Sequence, residues 1–408
     1  MHIERFGVAA SPLGSDFSRL EVTIAAERPG LSLGYWVDLP SDVAPSGPVA
    51  DALVLLMLPL ACFWGETVRL DQPIDALLLE NLKGVQQVWQ SWYPELACVH
   101  IDAPPRVGNA PCRSPGTLAS FSGGVDSFFS LLRHRHRITH LVSVAGFNTA
   151  MDDVAPMCEV LAGVAAAFGK RHVPIVTNVR FGKNPPTPYS INELMNKFAH
   201  GCLLAALAHL MDAHVGTYII PASSPYAHLH PWGSHPLTDP LFSSAALDVV
   251  HDGAAFGRLD RTALVASSDA ALSSLHVCFN DFAAGNCSSC QKCLRTMATL
   301  DLLGVREQAV SFDWTKYSLE RLASAWLPSP NVRIYFQEIA RHAHQCGRVD
   351  LARALDAAVT ASARKARVLD GFQAVKTPVI RAIKSNRLTA AVWHGLRALR
   401  GKRVPSSA

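Results

Sequence analysis

The chain has 408 residues, 49% of them apolar and 17% charged, a balance that excludes a disordered or low-complexity protein and leaves room for two or three domains with well-buried cores. The formal net charge of +4 is unevenly spread: residues 361–408 hold eleven Lys or Arg against the single acid Asp370, so the rest of the chain is net acidic. The start, Met1-His2-Ile3-Glu4-Arg5, lacks the basic and apolar regions of a secretory signal, and the one prominent apolar run, Ala52 to Trp64, is too short to span a bilayer and contains Pro59.

In chain order, residues 1–115 mix alternating stretches ("RLEVTIAAE", "LSLGYWVDL") with a helical stretch, Ile74 to Trp92, and read as an N-terminal α+β domain. The proline-rich segment "APPRVGNAPCRSPG" reads as the linker that ends it. From Thr117 the rhythm changes. Strands are expected at Thr117–Phe121, Leu141–Phe147, Val173–Val179 and Thr217–Pro221, and helices from Ser127, at Val154–Phe168 and at Ile191–Ala213. Such alternation predicts an α/β fold over residues 116–304, a parallel doubly wound sheet with helices on both faces. Residues 305–408 read as a helical, basic C-terminal region without a catalytic motif. Its charge suits nucleic acid or anionic lipid, but a solvated basic helical end is the favoured reading, and no aromatic-interleaved basic stripe supports nucleic acid more firmly.

Two motifs carry chemistry. Ser122-Gly123-Gly124-Val125-Asp126-Ser127 forms a tight turn between the first predicted strand and its helix. Glycines there let the backbone bend and a ligand approach, and the helix start offers unpaired N–H groups to a phosphate. The turn lacks the Lys-Ser/Thr ending of a Walker A loop, so it is a different phosphate cradle. The second motif is "CFNDFAAGNCSSCQKC": Cys287, Cys290 and Cys293 follow one another with two residues between, and Cys278 lies upstream. Four thiolates so close match a closed, structural zinc site, although an iron–sulfur cluster uses the same ligands. The other six cysteines are scattered singly, as expected in a reducing compartment, and a cytoplasmic protein is expected.

The SGGVDS turn between strand and helix resembles the PP-loop of the N-type ATP pyrophosphatases. Together with the Cys-x8-Cys-x2-Cys-x2-Cys segment it resembles 7-cyano-7-deazaguanine synthase of the queuosine pathway, over residues of about 117–300. The resemblance implies an ATP-dependent ligase that adenylates a carboxylate or amide oxygen and passes it to a nitrogen nucleophile. It implies ATP and Mg²⁺ with Zn²⁺ as a structural metal, phosphates held by Ser122, Gly123, Gly124, Val125 and Ser127, and Asp126 orienting the loop. Arg261 in "GRLDRTALVA" stands where the superfamily has a phosphate-gripping lysine.

The chain departs from that family in its two extra regions and in "SSPYAHLHPWGSHPLTDPLFSS", which replaces the family's substrate-facing segment. This loop follows a predicted parallel strand, so it is expected to line the acceptor pocket, with His235 and Asp239 nearest the reacting group. Asp239 could also meet Mg²⁺ or cap a helix, and His228 and His230 form a usable ligand pair for a second metal. Two alternatives stay open: a sulfur-transfer enzyme, for which Cys158 and Cys202 are the weighed thiols, and a synthase-like component that modifies a protein partner docked on a terminal region.

Overall fold

The first three strands, β1 (His2–Ala10), β2 (Phe17–Ala25) and β3 (Ser32–Pro40), form an antiparallel meander whose alternate residues, Leu20, Val22 and Ile24 then Leu33, Tyr35, Val37 and Leu39, are buried on one face. The structure, a computed structural model, describes residues 1–28, 30–106, 112–146, 154–179, 195–278 and 282–385, with 195–196 and 370–385 as backbone. Residues 386–408 of the basic end, the last residue of the expected Leu141–Phe147 strand, the first residues of the expected Ile191–Ala213 helix and the middle of the linker lie outside those residues.

The apolar run becomes helix α1 (Ala50–Trp64), buried over most of its length and ended by Gly65, whose left-handed φ of 70° lets its N–H close on the Ala61 carbonyl. Short strands β4 (Val68–Arg69) and β5 (Ile74–Asp75) follow. Helix α2 (Ala76–Trp92) starts two residues later than the periodicity predicts, because Ile74 and Asp75 pair with β7 (Pro105–Arg106) after β6 (Ile101–Asp102). Asp75 then caps α2, accepting from the N–H groups of Leu77 and Leu78, both at 3.1 Å. Among the described residues no helix is long and apolar enough to cross a membrane.

Beyond the linker the chain alternates as expected: β8 (Gly116–Ser120), α3 (Val125–Arg133), β9 (His140–Ala145), α4 (Val154–Ala167), β10 (Arg171–Thr177), a π turn at Met195–Ala199, α5 (His200–His209), β11 (Val215–Pro221) and β12 (Asp248–Asp252). These five strands are parallel, in the order β12-β11-β8-β9-β10. The chain therefore moves outward on one side of β8 and then crosses to the other. This is an α/β fold with a large, mostly parallel sheet, and the crossing leaves a crevice at the carboxyl ends of β8 and β11.

The N-terminal region is not set apart from this sheet. β3 pairs antiparallel with β10 through Val37↔Thr177 and Asp38↔Val176, giving one 10-stranded sheet. β3 covers an edge that would otherwise present unpaired N–H and C=O groups. The hydrophobic core runs without a break from Leu39, Leu55 and Leu82 to Leu118, Val173 and Leu204. Accordingly, Met1–Lys316 is one compact unit and Tyr317–Ala408 a second, so neither expected boundary, near 115 or near 304, coincides with the observed one. Residues 305–316 stay with the first unit because they back the cysteine segment: the Asp313 N–H donates to Ser288 Oγ at 2.9 Å and Asn286 Nδ2 to the Ser311 carbonyl at 3.0 Å. The second unit is helical, α9 (Leu319–Ala323), α10 (Pro330–Gln345) and α11 (Val349–Ser385), packed around Phe336, Ile339, Leu351 and Leu355.

Gly146, at the end of β9, has φ 89°, and a Cβ there would sit 1.8 Å from the Thr177 carbonyl oxygen. Gly146→Ala is expected to cost at least about 2 kcal/mol of stability. Gly163→Ala, on the open face of α4, is expected to add about 0.5–1 kcal/mol. Urea unfolding of the two variants checks the pair, and equal effects would contradict the assigned backbone.

Candidate functional site

At the carboxyl end of β8 the turn is made by Gly123, whose φ of 71° suits glycine, and by Gly124, which occupies the cap position of α3 in extended geometry. A Cβ on Gly123 would meet Leu161 Cδ2 at 3.3 Å, so the residue is also chosen by crowding. Gly124 brings no side chain to cap the helix, so the first-turn N–H groups of α3 remain available to a ligand. The turn is braced from inside: Ser127 Oγ donates to the Gly124 carbonyl at 3.0 Å and accepts from the Ser122 N–H at 3.3 Å. The His276 N–H donates to the Gly123 carbonyl at 2.8 Å, and the His276 ring stacks on Phe282 with centroids 4.2 Å apart. Ser122 itself is exposed.

Asp126, in the first turn of α3, is held by two guanidiniums, Arg258 Nη1 at 2.7 Å and Arg261 Nη1 at 2.8 Å. Both arginines lie on helix α6 (Arg258–Ala266), where a spacing of three puts them on one face. Burial works to raise the Asp126 carboxyl, but the charges of Arg258 and Arg261, with Arg295 behind them, outweigh it and hold it below its ordinary value. Lys292 joins the group: burial, then Arg295 and Arg258, pull its ammonium down from the usual lysine value. Four cations thus converge on one carboxylate. Arg261, expected to grip phosphate, is 1% exposed and is committed to Asp126, the Phe256 carbonyl at 3.1 Å and the Ala222 carbonyl, with Nη2 buried without a hydrogen-bond partner among the described residues. It braces the turn from behind. Arg258, Lys292 and Arg295 were missed in the sequence, although Arg258 stands one helical turn before Arg261, Lys292 lies between Cys290 and Cys293, and Arg295 follows Cys293.

In front of the turn lies a cleft of about 870 Å³ open to solvent. Ser120, Ser122, Asp126, Ser127 and Ser143 give it a polar side, and Val142, Val144, Met157 and Leu204 an apolar wall. His200, Ser223 and Ser234 also face it, together with Phe121, Ile220, Pro221 and Phe282. This combination suits a flat apolar group joined to an anionic one. Helix α3 is fixed beneath it by Asp252 of β12, which receives Ser130 Oγ at 2.7 Å, Arg133 at 2.9 Å and the His134 ring at 2.9 Å.

The loop after β11 reaches the cleft differently from expectation. Asp239 is fully buried, and its carboxylate accepts from Ser234 Oγ at 2.6 Å, the His235 N–H at 3.1 Å and the His251 ring at 2.7 Å. Those three donors engage both its oxygens and tie it to the loop and to β12, and Ser234 is the side chain that lines the cleft. His235 is buried with its ring edge-on to Trp92, centroids 4.8 Å apart, and does not line the cleft. Among the described residues, His228, His230 and Asp239 are not gathered into a ligand set.

The four cysteines are gathered. Their sulfurs lie within 4.8 Å of one another, with Cys278–Cys290 and Cys287–Cys293 both at 3.9 Å and Cys290–Cys293 at 3.6 Å. These spacings exclude disulfides and match the edge of a thiolate tetrahedron, about 3.8 Å for metal–sulfur bonds near 2.3 Å. Backbone N–H groups of Cys287 and Cys290 donate to Cys278 Sγ at 3.4 Å and Cys287 Sγ at 3.3 Å, through a left-handed turn at Ser288 with φ 56°. Cys290 caps helix α8 (Gln291–Leu302, numbered after α7, Asp269–Ser273), which carries Cys293, Lys292 and Arg295. The set could hold a metal ion such as zinc, and the same helix would then be tied to the cation cluster at Asp126.

Comparison of the chain with protein-family models, curated proteins and solved structures gives no match.

Elemental analysis is expected to find one zinc per chain in this centre, and Cys287→Ser to lower it together with the melting temperature. Iron with a visible chromophore would overturn the zinc assignment. A second expectation concerns pH. Asp126 ionises below its ordinary value of 3.8, so its ion pairs stabilise the fold above that value and lose their effect as pH falls through the lower native one. Asp126→Asn should therefore cost about 2 kcal/mol at pH 7 and progressively less towards pH 3. A cost independent of pH in denaturant titrations would contradict the ion-pair account.

Proposed function

We propose that the protein is an ATP-dependent synthetase of the PP-loop class, forming AMP and pyrophosphate as it activates an acceptor oxygen. The convergence of Arg258, Arg261, Lys292 and Arg295 on Asp126, directly behind an uncapped helix start, carries this reading. That concentration of cationic side chains suits a polyphosphate better than a neutral ligand. The triphosphate would lie along Ser122, the glycine backbone and Ser127, with the base against Val142, Val144 and Met157.

A carboxylate or amide oxygen of the acceptor would then attack the α-phosphorus, and pyrophosphate would leave toward the cation cluster. A nitrogen nucleophile would displace AMP from the adenylate in a second step. Both Asp126 oxygens are engaged by guanidiniums, so the Mg²⁺ that the resemblance implies would ride on the phosphates. Zinc at the four cysteines would keep Lys292 and Arg295 in place and leave no open position for chemistry. Two observations weigh against sulfur transfer: burial raises the Cys158 and Cys202 thiols, and Cys202 donates to the Leu55 carbonyl at 3.2 Å.

One observation favours a second reading, in which the acceptor belongs to a protein. The loop after β11 exposes Tyr226, Leu229, Trp232 and Leu237, at 58%, 38%, 37% and 57%. Exposed apolar side chains of this kind suit a macromolecular contact. A deazapurine or other small acceptor needs no such rim.

Calorimetric titration with ATP is expected to show one site. Ser122→Ala should weaken it about tenfold without lowering the melting temperature, as loss of one phosphate contact predicts, and Lys292→Ala should weaken it as well, by removing positive charge behind the turn. Pyrophosphate release with AMP, not ADP, as the second product completes the test. Unchanged ATP affinity in both folded variants would sink the reading.

A further inference from the structure

Away from the cleft, a second group of ligating side chains meets where α1 begins and α5 ends. Asp51 lies in the first turn of α1, His209 is the last residue of α5, and Asp212 follows in the next turn. Two carboxylate oxygens and one imidazole nitrogen from these residues lie within 4.8 Å of one another. Asp51 and His209 are both 0% exposed, and Asp212 is half-buried, which leaves a way in from solvent.

The state of the imidazole is set by its neighbour. His209 Nε2 lies 2.9 Å from the Phe242 carbonyl oxygen, which can only accept, so Nε2 carries the hydrogen and Nδ1 of the neutral ring carries the lone pair. That Nδ1 is buried and has no hydrogen-bond partner among the described residues. A buried acceptor left unpaired is costly and rare. Donation of one ring N–H to a backbone carbonyl, with the other nitrogen left for a ligand, is the way metal-binding histidines are held. Asp51 is itself held, Oδ1 by the Asp75 N–H at 2.8 Å and Oδ2 by Arg106, which also lies 3.8 Å from Asp75. Three acids, with Asp212, therefore face one guanidinium, and each Asp51 oxygen keeps a second lone pair for an ion.

We propose that Asp51, His209 and Asp212 bind a divalent cation, with water completing the coordination on the Asp212 side. Ligand atoms about 2.1 Å from one ion lie up to about 4.2 Å apart, so a small rotation of half-buried Asp212 closes the set. One nitrogen and two carboxylate oxygens suit Mn²⁺, Fe²⁺ or Zn²⁺ and separate this site from the four-thiolate centre. The ion would pin the end of α5, whose first residue, His200, lines the cleft.

The test uses full-length, zinc-loaded protein without nucleotide, titrated with Mn²⁺ while the free ion is followed by its paramagnetic resonance. The expected result is one saturable Mn²⁺ per chain with the zinc content unchanged. Binding should be at least about tenfold weaker in His209→Gln and in Asp212→Asn, two ligand deletions, and unaltered in Ser122→Ala. Asp212 is half-buried, so Asp212→Asn keeps the test decisive if His209→Gln fails to fold. Absence of saturable Mn²⁺ binding in the wild type would overturn the proposal. Equal affinity in wild type and folded Asp212→Asn would overturn it as well.

Discussion

Everything around the crevice is organised by one carboxylate caught between two guanidiniums. Asp126 opens α3, Arg258 and Arg261 come from α6, and Arg261 also donates to the carbonyl of Ala222, just past the end of β11. The bridge therefore joins the elements on the two sides of the crossing between β8 and β11. Its geometry leaves the glycine turn facing outward and collects positive charge behind it. A carboxylate alone would repel an anionic ligand, whereas this one is outnumbered by its neighbours and fixes their positions.

Much of the α/β portion was legible because its elements are local. Strand and helix periods alternate cleanly from Thr117, and the glycine turn and cysteine spacing need no tertiary information. The apolar run Ala52 to Trp64 became a buried helix for the same reason, since no length of it was polar enough to face water. What escaped depended on contacts between distant residues. The pairing of β3 with β10 joins segments whose sequences say nothing about each other, and it merged an expected separate domain into the main sheet.

The candidate site shows the same division. Residue types in the turn were readable, but the fate of each charged side chain was not. Arg261 and Asp239 both look like exposed functional groups in sequence, and both are buried, because each found several partners in neighbouring segments. Ser234, Lys292 and Arg295 gained their importance only from where the loop after β11 and the cysteine helix are carried. A metal at the cysteines would fix that placement, so a feature visible in sequence controls groups that are not.

The seam between β3 and β10 also bears on how the protein is made. The Trp36 backbone N–H donates to Asn178 Oδ1 at 2.8 Å, a partner 142 positions later in the chain. At ordinary synthesis speeds that interval lasts about ten seconds. During it the meander has emerged from the ribosome with its outer strand unsatisfied and aggregation-competent. The chain thus carries a built-in waiting period, during which the outer strand of the meander is exposed before its partner strand exists.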